Sequence, residues 1–165
     1  MQYIAHRINT IRELDMLPLE YGVELDLRDY ERDIIIAHNP FENGVNFEEY
    51  LKHYHHGTMI VNVKSERIEH KIIELLEKYN IKDYFFLDSS IPMIYLLSNN
   101  GNTNFAVRFS EIEPVEFVLA MKNRVKWVWV DSFSKISSLH ISGCFSGEKA
   151  SKYITSYVCP KWYLV

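Results

Sequence analysis

Short apolar runs rich in valine, isoleucine and aromatic residues recur along the chain, and polar segments separate them. Runs of this composition and length are typical of β-strands. The pattern predicts strands at Tyr3–His6, Val23–Leu27, Asp33–His38, Met59–Lys64, Tyr84–Asp88, Phe105–Phe109 and Lys126–Asp131, with Tyr153–Val158 as a further candidate.

Between several of these runs the apolar residues recur with the period of a helix. The clearest case is Ser65–Tyr79, where Ser65 is the predicted N-cap and Asn80 the predicted stop. Its apolar stripe consists of Ile68, Ile72, Leu75 and Leu76. Weaker patterns predict helices over Asn9–Glu20, Asn46–Tyr54, Ile91–Leu97 and Pro114–Asn123.

Strands that alternate with helices predict an α/β fold, in which a parallel sheet is connected by crossover helices. The segment Val23–His38 departs from this series, because two strands follow each other across a polar, turn-like link at Arg28–Arg32. We therefore expect a small β-hairpin inserted after the second strand. No linker or repeat divides residues 1–165, so the sequence predicts a single domain.

Composition excludes several classes of protein. Of 165 residues, 47% are hydrophobic and 24% are charged, which is enough apolar material for a folded core. A net charge of −4 argues against a nucleic-acid partner. The apolar stretch Ser89–Val107 is broken by Pro92 and polar residues, so no membrane span is expected. With no signal-peptide core at the N-terminus, we expect a cytoplasmic protein.

Polar residues lie in or directly after most of the predicted strands. They are His6, Arg7, Glu24, Asp26, His38, Asn62, Lys64, Asp88, Arg108 and Asp131. In a parallel α/β fold the carboxyl ends of the strands meet at one edge, so these side chains are predicted to share a site. A single residue such as Asp88 or Asp131 could instead be a helix N-cap or a loop residue.

Glu24 and Asp26 stand two positions apart on a strand, so both carboxylates point to the same side. Adjacent carboxylates repel each other unless a cation or basic groups neutralise them. Ligation by oxygen alone suits Mg²⁺ or Ca²⁺. The alternatives are a solvent-facing edge or an ion pair with Arg7 or Lys64.

Three further features each allow two interpretations. Trp127 and Trp129 could wall a substrate pocket or pack inside a barrel. Arg108 could bind an anion or form an ion pair. The histidines of residues 53–56 could bind a metal, or they could be a solvated helix end.

Three ordered segments of the chain resemble the N-terminal signature of glycerophosphodiester phosphodiesterases, a family of the phospholipase C-like superfamily. They are Tyr3-Ile4-Ala5-His6-Arg7, Gly22-Val23-Glu24-Leu25-Asp26 and His38-Asn39-Pro40. Val61-Asn62-Val63-Lys64 is similar to the family's third-strand segment, which ends in lysine. The resemblance extends from Met1 to about Phe133.

This resemblance implies a TIM-type barrel that cleaves a phosphodiester and releases an alcohol. Glu24 and Asp26 would hold a divalent cation, Mg²⁺ or Ca²⁺. His6 and His38 would be the catalytic acid–base pair, and Arg7 and Lys64 would bind the phosphate oxygens. The substrate would be a glycerophosphodiester or a similar small diester. Asp88, Arg108, Trp129 and Asp131 are further candidates for the pocket.

The chain departs from the family pattern at three positions. Ile8 replaces a common glycine, and Asn39 replaces a common aspartate after the second histidine. Asn62 stands where many members have a third metal-binding glutamate. Its carbonyl can still ligate a metal, but it carries no charge. Asn62 and the short C-terminus keep open the alternative of a non-catalytic or weakly active phosphate-binding relative.

Chain length predicts that the barrel is incomplete. A complete barrel of eight strand–helix units takes at least about 200 residues, and this chain has 165. We expect six to seven strands, with truncation at the C-terminus. The open edge would then be covered by the C-terminal tail or by a second copy of the chain.

Overall fold

The computed structural model describes residues 3–131, residue 133 and the backbone of residues 153–155. Its helices are α1 (Ile11–Asp15), α2 (Phe47–Leu51), α3 (Glu69–Lys78), α4 (Ile91–Asn99) and α5 (Val115–Ala120). Its strands are β1 (Ile4–Ala5), β2 (Gly22–Tyr30), β3 (Asp33–Ile36), β4 (Val45–Asn46), β5 (Met59–Val63), β6 (Tyr84–Leu87), β7 (Ala106–Phe109), β8 (Trp127–Val130) and β9 (Tyr153–Thr155). The predicted mixed α/β class is confirmed.

The first sheet has six strands in the order β4-β3-β2-β5-β6, with β1 paired to β2 as well. Strands β1, β2, β5 and β6 are parallel, whereas β3 and β4 run antiparallel. The predicted hairpin is confirmed as β2–β3, but the predicted link at Arg28–Arg32 is wrong in its bounds. Arg28 to Tyr30 pair with β3, and the turn is left to Glu31, with a φ of 55°, and Arg32.

The second sheet has three parallel strands in the order β7-β8-β9. Strand β9 confirms part of the candidate strand Tyr153–Val158, whose last three residues lie outside the described ones. The chain forms two compact units, and the first gives way to the second between Ser90 and Ile91. The predicted single domain and the predicted incomplete barrel stay predictions.

Helix α3 is shorter than its apolar stripe predicted. It begins at Glu69, and the position before it is Ile68, whose side chain makes no capping hydrogen bond. The prediction of Ser65 as N-cap is therefore wrong. Arg67 has a φ of 68°, a left-handed conformation that interrupts any helix started earlier. The predicted stop at Asn80 is confirmed, because Asn80 is left-handed with a φ of 56°.

Two strands share one edge of β2, and this arrangement positions the site. Strand β1 pairs with Gly22 and Val23, while β3 pairs with Leu27 to Tyr30. Strand β5 pairs with the opposite edge from Val23 to Leu27. The stretch from Glu24 to Asp26 therefore has no strand on one side.

Gly22 begins β2 at a point where two neighbouring segments approach its backbone. A Cβ atom there would lie 2.2 Å from the Ile4 Cδ1 atom and 2.6 Å from the Thr58 carbonyl oxygen. A side chain would separate β1 from β2, so glycine is required at this position.

The strand faces supply the core. Val23, Leu25, Leu27, Met59, Ile60 and Val61 are fully buried. Helix α3 adds Ile72 and Leu76, which are also fully buried, as the apolar stripe predicted. In the described part of the chain, the helices are all too short or too polar to cross a membrane.

Candidate active site

Glu24 and Asp26 lie on the same face of β2 and are almost completely buried. Glu24 Oε2 accepts a hydrogen bond of 2.8 Å from the Arg7 backbone N–H. Burial raises the pKa of Glu24 above its usual range, and the adjacent charge of Asp26 raises it further. The fold thus holds Glu24 beside a second carboxylate in a place where the ionisation of Glu24 is unfavourable, which is typical of functional sites.

Asn62 lies beside this pair, because β5 brings it into register with Asp26. Its Nδ2 atom donates a 2.8 Å hydrogen bond to Glu24 Oε1. Its Oδ1 atom is buried without a hydrogen-bond partner, and Asp26 Oδ1 is in the same condition. Buried oxygens are seldom left without a hydrogen bond, so Asn62 Oδ1 can accept a donor or a cation, whereas Asp26 Oδ1 already has the Lys64 ammonium group 3.5 Å away.

Lys64 follows β5 and lies between two carboxylates. Its Nζ atom is 3.5 Å from Asp26 Oδ1 and 3.5 Å from Asp88 Oδ2. Asp88 directly follows β6 in a left-handed conformation with a φ of 61°. The ammonium group therefore neutralises part of the acidic charge, which the sequence left open as an alternative to metal ligation.

His6 and Arg7 follow β1 and reach the same group. His6 Nε2 is 3.7 Å from Glu24 Oε2. Arg7 has a φ of 56°, an uncommon conformation for a residue with a side chain. This conformation accompanies the backbone hydrogen bond to Glu24, while the guanidinium group reaches His38.

The ring of His38 is held at both nitrogens. Arg7 Nη2 is 2.7 Å from His38 Nε2, and Asn39 Oδ1 is 2.9 Å from His38 Nδ1. A guanidinium group can only donate, so Nε2 accepts; an amide oxygen can only accept, so Nδ1 carries the proton. The ring therefore presents an unprotonated Nε2 atom to Arg7.

Two residues that support this site were not recognised in the sequence. Asn9 fills the gap at the edge of β2, where it accepts a 3.1 Å hydrogen bond from the Asp26 N–H and donates one of 2.9 Å to Asp26 Oδ2. The sequence placed Asn9 in a helix and gave no signal for this contact.

Arg28 is the second such residue, and it joins the segments that carry His38 and Lys64. Its guanidinium group donates to the carbonyl oxygens of both residues, at 2.9 Å in each case. A signal was available, because Arg28 continues the alternation of charged residues through Glu24 and Asp26 on the same strand.

Arg108, Trp129 and Asp131, predicted as pocket residues, belong to the second unit. Arg108 donates a short hydrogen bond to Asp131, and Trp129 is buried in β8. The ion-pair interpretation of Arg108 is therefore confirmed, while the pocket role of all three stays a prediction.

The histidines of residues 53–56 contact residues near α1. His53 Nδ1 is 3.2 Å from Asp15 Oδ1, and His56 Nε2 is 3.1 Å from the Leu17 carbonyl oxygen. Among residues that the structure describes, no three His, Cys, Asp or Glu side chains are grouped so that they could hold a metal ion. A metal site at Glu24 and Asp26 would therefore need a third ligand of another type, such as Asn62.

A comparison with solved structures found a protein that shares this fold. The chain matches the crystal structure of a "putative glycerophosphoryl diester phosphodiesterase" from Agrobacterium tumefaciens str. C58, with a TM-score of 0.61. The two share a fold. The match covers 79% of this chain and 75% of the other, at 15% sequence identity. No protein-family model and no curated protein matches the chain.

This likeness concerns the fold, while the family resemblance rests on the three N-terminal segments. In one unit of the chain, contacts connect the predicted residues His6, Arg7, Glu24, Asp26, His38, Asn62, Lys64 and Asp88. Their individual chemical roles stay predictions.

Proposed function

We propose that this protein is a metal-dependent phosphodiester hydrolase that acts on a glycerophosphodiester or a similar small diester. One observation carries the proposal: two histidines, two buried carboxylates, an arginine and a lysine are connected by contacts. The carboxylates lie within β2, and the other four residues follow β1, β3 and β5. The fold likeness to a phosphodiesterase supports it. We further propose that the fold is an incomplete barrel of the TIM type.

A divalent cation fits the oxygen atoms that the site offers. Asn62 Oδ1 is buried without a hydrogen-bond partner, and the Glu24 carboxylate lies beside it. Asp26 Oδ1 makes no hydrogen bond either, and a cation there would replace the Lys64 ammonium group, which is 3.5 Å away. Carboxylate and amide oxygens are ligands that Mg²⁺ and Ca²⁺ prefer. When bound, the cation would neutralise the diester oxygens and lower the pKa of the attacking hydroxyl or water.

The chain's own residues would move the protons. His38 has an unprotonated Nε2 atom, so it can take the proton of the attacking oxygen once Arg7 turns toward the phosphate. His6, whose Nε2 atom lies 3.7 Å from Glu24 Oε2, would give a proton to the leaving alkoxide. Arg7 and Lys64 would bind the phosphate oxygens, since both side chains are cations beside this group.

Purified protein assayed on glycerophosphocholine with Mg²⁺, Ca²⁺ or EDTA tests the proposal. We expect turnover that EDTA abolishes, and a loss of at least about a hundredfold in His6→Ala and in His38→Ala, the lower range for acid–base catalysis. His70→Ala is the matched control, because this exposed histidine lies on α3. Folded protein that shows no turnover with any cation would refute the proposal.

The second candidate function is a non-catalytic phosphate-binding relative. Two observations favour it: Asn62 replaces a charged ligand, and Lys64 already pairs with Asp26. This candidate predicts that calorimetry detects binding of inorganic phosphate or Mg²⁺ by a protein without turnover. If calorimetry detects neither ligand, this candidate is refuted as well.

A further inference from the structure

The residues directly after His38 form a tight turn that returns Glu42 to the side chain of Asn39. Pro40 is followed by Phe41, which has a φ of 64°. This combination is typical of a type II turn, in which the position after proline is usually glycine. Phe41 is fully exposed, so no packing of its side chain explains why this conformation is kept.

The turn brings the side chains of Asn39 and Glu42 into contact. Asn39 Nδ2 lies 3.1 Å from Glu42 Oε1 and 3.2 Å from Glu42 Oε2. An ionised carboxylate only accepts hydrogen bonds, so the amino group of the Asn39 amide must face Glu42. The other end of the amide, Oδ1, is then directed at His38.

The direction of the amide decides which nitrogen of His38 carries the proton. Oδ1 accepts from Nδ1 at 2.9 Å, so the ring is in its Nδ1–H form and Nε2 has a free electron pair. We propose that Asn39 and Glu42 are positioning residues, which hold His38 in the Nδ1–H tautomer and so keep Nε2 available as a base. The use of Nε2 as a base rests on the proposed function, whereas the tautomer itself can be measured without substrate.

The contact matters most when Arg7 leaves His38. In the described structure Arg7 Nη2 also requires Nε2 to accept, so two groups favour the same tautomer. If Arg7 binds a phosphate, only the Asn39–Glu42 pair keeps the proton on Nδ1. A free imidazole in water prefers the Nε2–H form, which would leave no base on the side that faces Arg7.

NMR of the histidine ring nitrogens tests the inference directly, at an alkaline pH where the ring is uncharged. The Arg7→Ala variant of the full chain isolates the contribution of the pair. We expect His38 in the Nδ1–H form in wild type and in Arg7→Ala. Adding Asn39→Ala or Glu42→Ala to Arg7→Ala should shift it toward the Nε2–H form.

A charge-swapped pair provides the rescue. In Arg7→Ala with Asn39→Asp and Glu42→Gln, the new aspartate accepts from Nδ1–H and the new glutamine donates to the aspartate. The Nδ1–H form should return. Glu20→Ala in the same background removes another exposed carboxylate and should leave the tautomer unchanged. Backbone amide spectra show that each variant is folded.

Two results would overturn the inference. One is a His38 ring in the Nε2–H form in wild type. The other is a ring that keeps the Nδ1–H form in the Arg7→Ala background after Asn39 or Glu42 is removed.

If the protein turns over a diester, Asn39→Ala and Glu42→Ala in the wild-type background should lower kcat by about 10–100-fold with little change in KM. Because the tautomer is measured without substrate, a protein with the expected tautomer and no turnover contradicts the proposed function alone. Turnover without the expected tautomer contradicts the Asn39–Glu42 inference alone.

Discussion

At the residue scale, Glu24 is subject to opposing effects on its ionisation. Its carboxylate accepts hydrogen bonds from the Arg7 backbone and from Asn62, and both favour the charged form. Burial and the neighbouring Asp26 disfavour the charged form, and these two effects prevail, because the pKa of Glu24 is raised. Without a cation, ionisation of Glu24 therefore opposes folding.

The pH dependence of stability follows from this raised pKa. The folded chain binds the Glu24 proton more tightly than the unfolded chain, whose pKa is near 4.5. As pH rises from that value through the folded-state pKa, the free energy of unfolding should fall by the contribution of Glu24. Glu24→Gln should therefore gain stability relative to wild type as pH rises, measured by urea unfolding in EDTA.

Glu77→Gln on the exposed side of α3 serves as the control. It should differ from wild type by a nearly constant amount over the same pH range. If the difference between Glu24→Gln and wild type is equally constant, burial does not raise this pKa.

His38 shows how a single residue acquires its chemistry from distant and local partners. Arg7 is 31 positions away in sequence and Asn39 is the next residue, yet both fix the same ring. The family resemblance implied that His38 belongs to the acid–base pair and that Arg7 binds the phosphate. It did not identify their contact, which depends on the placement of β1 and β3 along one edge of β2.

At the element scale, α3 was predicted well in its interior and poorly at its start. The apolar stripe is a repeated signal, and Ile72 and Leu76 are fully buried as it indicated. The start depends on the backbone of one residue, Arg67, whose left-handed conformation has no counterpart in residue type. The interior of a helix can therefore be predicted from the period of its apolar residues, whereas its ends depend on the local backbone conformation.

Removing packing from α3 should be costly on its buried side only. Leu76→Ala should lower the free energy of unfolding by about 2–5 kcal/mol, because a cavity remains where the leucine side chain was buried. Urea unfolding measures the change. Glu74→Ala, on the exposed face of the same helix, should stay within about 0.5 kcal/mol of wild type. Similar losses in both variants would contradict the assigned packing face.

Strand β2 carries Glu24 and Asp26, and one of its edges has no neighbouring strand beside these two residues. Glu24 and Asp26 were predicted on one side from their spacing alone, and the structure confirms this placement. The gap between β1 and β3 was not predictable, because it depends on which strands pair. Asn9 fills that gap with its side chain, where a neighbouring strand would otherwise supply backbone partners.

At the scale of the whole molecule, binding of a cation should appear as added stability. A ligand that binds only the folded chain raises the free energy of unfolding by about 2.7 kcal/mol at a concentration of 100 times its Kd. We expect Mg²⁺ or Ca²⁺ to raise the Tm of wild type above its value in EDTA. Asp26→Asn should show a much smaller increase, because it removes one charged ligand.

Asp29→Asn is the matched control, since Asp29 is exposed on the same strand. It should keep the full increase in Tm. A Tm that neither cation changes in wild type would contradict the metal site, whatever the assay of turnover shows. The second copy of the chain at an open barrel edge stays a prediction.

The amino-acid sequence by itself determined what depends on neighbours along the chain. These features are the alternation that places Glu24 and Asp26 together, the buried stripe of α3, the β2–β3 hairpin, and the motifs that resemble a phosphodiesterase. Each is a periodic or contiguous pattern, so local geometry is sufficient to read it.

Only the tertiary structure decided which distant groups meet. It directed the Asn62 amide at Glu24, placed Lys64 between two carboxylates, and brought Arg28 to the carbonyl oxygens of His38 and Lys64. These contacts depend on strand register and on the orientation of single side chains. Residues far apart in sequence determine both, and no pattern along the chain encodes them.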